Sequence, residues 1–192
     1  MSLLAAGEGI PHRERSWEKD LPCLMARYQA GEAEAIDELM RLLSPMMLQY
    51  FRAHGGNAHD ADDLFQECWL RIHKSRAAYR PPEPVLPWIF AIARYTGLDE
   101  FRRLRRREAR EISYAEPPEV SATQHEGDEA VELEQLLASL PEGQREVIVM
   151  LKISGMSLEE VARATASTVG SIKQKAHRAY ERLRVVLQKE RA

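Results

Sequence analysis

Residues 157–183 read SLEEVARATASTVGSIKQKAHRAYERL, and this stretch decides the fold class. Ser157 followed three residues later by Glu160 is a capping box. The serine hydroxyl accepts from the Glu160 amide, and the glutamate reaches back to the serine amide. Val161 and Ala162 face inward on the helix so opened, which fades at Thr165. Ala166-Ser167 forms a turn, and Thr168 stands where it can cap a second helix. That helix carries Val169, Ile172, Ala176, Ala179 and Leu183 on one face at steps of three and four. Ser171, Lys173, Gln174, Lys175, His177 and Arg178 fall on the other. An apolar seam with a basic, amide-bearing outer face is what a helix in the DNA major groove requires. Gly170 permits close backbone approach in the first turn, where helix amides can hold a phosphate. An ordinary helical hairpin with a basic face is the alternative.

Working back from this motif, helical periodicity continues. Leu133, Leu136, Leu137 and Leu140 form an amphipathic helix that Pro141 punctuates. Val147, Ile148 and Leu151 carry the next, and Gly155 sits where a helix should stop. From Ser113 to Asp128 the chain shows Pro117-Pro118, Gly127 and scattered polar residues without period, which reads as a linker between two helical domains. Before it, a helix opens at Trp88 and runs to about Arg110. Gly97 costs that helix roughly 1 kcal/mol against alanine, for no reason visible in the sequence. Pro81, Pro82, Pro84 and Pro87 predict a stiff loop from Tyr79 to Pro87. His59 to Arg76 is cleanly amphipathic, with Ala61, Leu64, Phe65, Cys68 and Ile72 on one stripe and Asp63, Glu67, Arg71 and Lys74 opposite. Farther back, Ser44-Pro45 predicts a helix restart, Gly31 ends a first helix over Asp20–Gln29, and residues 1–16 read as a disordered tail.

Composition sets the class. The 192 residues are 44% hydrophobic and 30% charged, ordinary for a globular chain. No apolar run approaches the roughly 18 residues that a membrane span needs, and Met1–Gly9 lacks a secretory pattern, so a cytoplasmic protein is expected. Two cysteines, Cys23 and Cys68, cannot make a disulfide framework. The net charge of −3 hides a division. Arginines cluster from Arg102 to Arg110, and the C-terminal helix is basic. Acid concentrates at Asp60, Asp62, Asp63 and Glu67 and from Glu111 to Glu134, a stretch without Lys or Arg. Two basic patches separated by acid point to two nucleic-acid surfaces and a protein-facing one. Clustered carboxylates could hold catalytic metals, but on a helix Asp62 turns away from Asp60, Asp63 and Glu67. His54, His59, Cys68 and His73 fit no compact zinc spacing. Neither a metal, a cofactor, a small-molecule substrate nor an enzymatic activity is expected.

Three motifs in register resemble bacterial sigma factors of the extracytoplasmic-function (ECF) branch, over roughly residues 17–188. Asp60-Ala61-Asp62-Asp63-Leu64-Phe65-Gln66-Glu67 resembles the family's helix for the polymerase clamp. Pro87-Trp88-Ile89-Phe90-Ala91-Ile92-Ala93-Arg94 with Asp99-Glu100-Phe101-Arg102-Arg103 resembles its −10 recognition helix. Leu140–Val147, Met156–Ala162 and Val169–Lys173 resemble its −35 domain. The resemblance implies an all-α fold of two small domains, 17–110 and 130–192, joined by a flexible acidic linker at 111–129, the second a helix-turn-helix. It implies docking on the clamp and flap regions of core RNA polymerase, through Asp60, Asp62, Asp63, Gln66 and Glu67 on the clamp side. Tyr79, Arg80, Arg94, Arg102, Arg103, Arg105 and Arg106 would meet −10 promoter DNA, and the loop would hold a flipped base. Ser171, Lys173, Gln174, Lys175, His177 and Arg178 would meet the −35 element.

The family's work also needs a larger machine. Opening about ten base pairs at about 1.4 kcal/mol per stacking step costs roughly 14 kcal/mol, more than two small linked domains supply. Ala166 stands where the family has glycine, and a positive φ there would strain it. Ser167 replaces an apolar residue, and Tyr95 an asparagine. The proline-rich loop and the Ala164-Thr165 helix ending resemble a branch held by membrane-spanning anti-sigma proteins. An operator-binding repressor or activator working without polymerase is the rival function, and a sigma-like adaptor that never reads a promoter is a third.

Overall fold

Apolar residues three and four apart need a partner face, and in the computed structural model of this chain helices supply it to one another. The structure describes residues 16–55, 58–111, 133 and 135–189. Among them no strand occurs, so the fold is all-α as the periodicity predicts.

A 3-10 turn at Ser16–Asp20 leads into α1 (Leu21–Gln29). Gly31, at φ +93°, turns the chain into α2 (Ala33–Gly55) through a backbone that L side chains rarely adopt. α3 (Ala58–Ser75) and a 3-10 turn at Arg76–Ala78 follow, then α4 (Val85–Glu111). Their shared core is fully closed: Leu39, Leu43, Met47 and Phe51 of α2 meet Ala61, Cys68 and Ile72 of α3 and Ile89, Phe90 and Ala93 of α4. Tyr50 sets its ring edge-on to Phe90 at 5.5 Å. Burial pushes the Cys68 thiol up to about 12, so it packs as an inert hydrophobe, while Cys23 is exposed.

Two proline readings need correction. Pro45 does not restart a helix but lies inside the continuous α2. It gives up one backbone hydrogen bond, yet Leu43, Met46, Met47 and Tyr50 on either side are buried, and that burial carries the helix through. Pro87 belongs not to the loop but to the first turn of α4, where a missing N–H has no helical partner to lose.

The C-terminal elements are α5 (residues 135–138), α6 (Glu142–Ile148), a π-helical turn at Val149–Ile153, α7 (Leu158–Ala164) and α8 (Val169–Lys189). Arg145 of α6 reaches back to the end of α5. Its Nε donates to the Leu137 carbonyl at 2.9 Å, and its Nη2 to those of Ala138 and Leu140 at 3.1 and 3.2 Å. Carbonyls at the end of α5, where helical partners run out, thereby gain side-chain donors, Leu137 in addition to the Leu140 amide. In the π turn, Ser154 N–H donates to the Val149 carbonyl at 2.9 Å, five residues back. Gly155 at φ +66° then releases the chain toward α7.

The N- and C-terminal helices meet directly: α4 packs along α7, and α2 against the π turn and α6. Most of the expected tail, and residues 112–129 of the expected linker, lie outside the described residues. Ser16, given to the tail, opens the first 3-10 turn instead.

Candidate nucleic-acid interface

The helix-turn-helix is built by local hydrogen bonds. The Glu160 amide donates to Ser157 Oγ at 3.2 Å, and the Ser157 amide to Glu160 Oε2 at 2.9 Å, completing the capping box. At the other end of α7, Ser167 N–H donates to the Ala162 carbonyl at 2.8 Å and Ala166 N–H to that of Arg163 at 3.2 Å. This is the Schellman arrangement, and it requires a left-handed residue between helix and turn. Ala166 takes that role at φ +50°, where glycine would sit without strain. Thr168 Oγ1 accepts from the Ser171 amide at 3.2 Å and caps α8.

The two faces of α8 fall as the spacing predicts. Ile172, Ala176 and Ala179 are buried, with Val169 and Leu183 packed beside them. Lys173, Gln174, His177 and Arg178 are exposed on the opposite side, and Ser171 is half-buried in the first turn. Lys175 departs from this outer group. It is half-buried against α6, its Nζ 4.0 Å from where a Cβ on Gly143 would stand, and its charge acts on Glu146. Gly170 is exposed, and a Cβ there would meet only Thr168 Oγ1, at 4.0 Å, which suits a backbone that something else must approach.

The residues expected at −10 DNA divide three ways. Arg80 and the loop through Pro84 are exposed, as are Arg102 and Arg103, the latter paired with Glu100 at 2.9 Å. The side chains of Arg105 and Arg106 lie outside the described residues. Tyr79 is 2% exposed. Its ring stands edge-on to Trp88 at 5.6 Å, and its hydroxyl donates to the Glu83 carbonyl. Tyr79 is thus an anchor for the loop and has no free ring face to offer a base. Arg94 is half-buried rather than freely displayed. Its Nε lies 2.9 Å from Glu146 Oε1 of α6, with the N–H poorly aligned on that oxygen.

On α3, Asp62, Asp63, Gln66 and Glu67 are exposed and Asp60 is half-buried. Glu67 pairs with Arg71 at 2.8 Å, and Arg71 extends to Asp99 of α4 at 2.7 Å. Asp60, Asp63 and Glu67 line one wall of a cleft of about 920 Å³ between α2, α3, α4 and α6. Arg94, Arg103 and Arg145 also line it, together with Asp99, Glu142 and Glu146. His54 borders the same cleft, its Nδ1 2.7 Å from the Tyr50 carbonyl, and burial lowers its pKa.

Sequence reasoning missed Glu146 and Tyr50. Glu146 sits in the cleft at 12% side-chain exposure, with Tyr50 Oη 3.4 Å from the oxygen that faces Arg94. Burial pushes its carboxyl up from the ordinary range, and Arg94 and Lys175 pull it back. Because these partners come from helices far apart in sequence, no local pattern announces them.

Comparison with known proteins agrees with this geometry. The family model for sigma-70 region 2 matches residues 39–107, and that for sigma-70 region 4 matches 130–183, which defines a sigma-70-class chain carrying these two regions. Over 172 residues it is 32% identical to the ECF RNA polymerase sigma factor SigF of Caulobacter vibrioides, covering 86% of this chain and 93% of the relative. It is 30% identical to SigD of Mycobacterium tuberculosis, covering 85% and 82%. The fold superposes on CnrH, solved with the cytosolic domain of CnrY, at a TM-score of 0.69 and 25% identity over 88% and 97% of the two chains. The chain belongs to the ECF RNA polymerase sigma factors and directs promoter-specific transcription initiation. That membership sets aside the operator-binding repressor and the adaptor.

Proposed function

We propose that α8 reads the −35 element through Lys173, Gln174, His177 and Arg178, with the Ser171 backbone and Lys175 supporting the helix rather than reaching bases. The observation that carries this is the separation on α8 itself, a buried seam on one side and amide and cationic groups on the other. The region from 17 to 110 acts as the clamp-docking and −10 unit, and that from 130 to 192 as the −35 unit, which also meets the polymerase flap. Asp60, Asp62, Asp63, Gln66 and Glu67 dock on core polymerase. Arg80, Arg94, Arg102, Arg103, Arg105 and Arg106 meet −10 DNA, and the exposed loop 80–84 holds the flipped base over the Tyr79 anchor. The protein works in the cytoplasm, without catalysis of its own, and an anti-sigma factor, of the membrane-bound kind, holds it inactive. Support for such a partner is the likeness to CnrH, which was solved with the cytosolic domain of CnrY.

Run-off transcription from genomic fragments tests this division. Defined new starts are expected only when the chain and core polymerase are combined. Tight duplex binding by the chain alone, with no new starts in the presence of core, would overturn it. For the docking surface, Asp63→Lys with Glu67→Lys should lower core affinity by about 100-fold or more at unchanged helicity. Undiminished core binding would remove α3 from that role.

A further inference from the structure

We propose that Glu146 is an interdomain latch: it grips Arg94 of α4 and Tyr50 of α2, and so keeps the free chain closed upon itself. The masking of a DNA contact by this latch rests on reading Arg94 as a −10 residue; the closure itself does not.

Closure is incompatible with promoter binding on geometric grounds. Elements named for positions 35 and 10 are about 25 base pairs apart, roughly 85 Å along B-form DNA. α8 is 21 residues long, about 32 Å, and α7 beside it packs directly on α4. A chain in this form cannot place α8 on one element and α4 on the other. The roughly 20 residues that join the two units can reach about 65 Å when extended, so separation is within the chain's means.

The contact between the units is suited to being broken. Glu146 is largely but not fully buried, its ion pair with Arg94 is poorly aligned, and burial raises its carboxyl even with Arg94, Lys175 and Tyr50 around it. Desolvation offsets much of the Coulombic gain while the pair is intact, but removing one partner leaves the other charge partly desolvated and alone, so loss of either partner tells against the closed form. The cleft beside it also draws in Asp60, Asp63 and Glu67, opposite Arg145 of α6. Polymerase engaging that acidic wall would compete for the same cleft.

The test uses the full chain with dyes on the exposed Cys23 and on a cysteine introduced by Gln188→Cys, since Cys68 is buried and its thiol is inert. Wild type should show one high-transfer population. Glu146→Gln, which keeps shape and removes charge, should shift the majority of molecules to low transfer, and so should Arg94→Gln from the other side. The double variant should open no further than either single one, as coupled partners require. Removing the cost of opening should raise the affinity of the Glu146→Gln chain for core about five- to tenfold. Unchanged transfer in both single variants, at wild-type helicity, would overturn the latch and leave apolar packing of α7 on α4 as the closing force. Additive opening in the double variant would overturn the pairing. If Arg94→Gln opens the chain yet leaves promoter binding by holoenzyme intact, the latch stands and Arg94 leaves the −10 surface.

Discussion

Two basic helices in this molecule meet their surroundings in opposite ways. α8 spends its apolar side on α6 and α7, within its own unit, and turns Lys173, Gln174, His177 and Arg178 to solvent. α4 spends one side on the N-terminal core and another on α7, and its Arg94 is held by a glutamate from the far unit. A displayed surface needs only a folded domain. A covered one needs an event that uncovers it. On the proposed assignment of α4 to −10 and α8 to −35 DNA, the two halves of promoter recognition would rest on different preconditions.

The strongest way to break this comparison is to destroy one unit and watch the other. Ile172 is fully buried in the α8 seam, and Ile172→Asp should cost about 4 kcal/mol by placing an unpaired carboxylate there. Melting followed by circular dichroism should then show two steps, with the α1–α4 unit still cooperative. A single lowered transition would mean that the units fold as one.

A smaller effect sharpens the contrast between display and cover. Gln174→Ala should relax −35 sequence preference in holoenzyme by about 1–3 kcal/mol, and Arg178→Ala should flatten the salt dependence by about one phosphate contact. Arg178→Ala should also weaken the residual duplex binding of the chain without polymerase, whereas Arg94→Ala should lower duplex binding only in holoenzyme. Equal losses for both variants in the free chain would show that α4 is as available as α8.

The smallest expected effect lies in the turn that aims α8. Ala166→Gly relieves the left-handed alanine and should raise stability by about 0.5–1 kcal/mol, read as a shift in the denaturant midpoint. Gly97→Ala should act with similar size through helix propensity, since nothing lies within 4 Å of the added methyl. Loss of stability in either variant would contradict the backbone geometry described.

What could be read in the sequence was whatever depends on neighbours three to five residues away. The Ser157 box, the Thr168 cap and the alternation of α8 are of that kind, as is the strain at Ala166. Pro45 misled because proline usually marks a helix start, and only the buried residues on both sides of it explain why the helix continues. Tyr79 resembled a DNA contact by position, but its ring is claimed by Trp88, nine residues on in the next helix. Lys175 lies at the edge of the seam, where one helical step decides between solvent and α6. Glu146 could not be foreseen, because it meets Arg94 across 52 positions and its role exists only once the units are in contact.

The π turn at Val149–Ile153 has a consequence for direction. It closes its hydrogen bonds one residue later than an α-helix does, so it holds one residue beyond the normal count. Each residue of an α-helix advances the azimuth by about 100°, and the extra one therefore swings everything beyond it by roughly that angle about the α6 axis. Deleting a single residue there would leave every cap of the helix-turn-helix intact and point its reading face at another quarter of the compass.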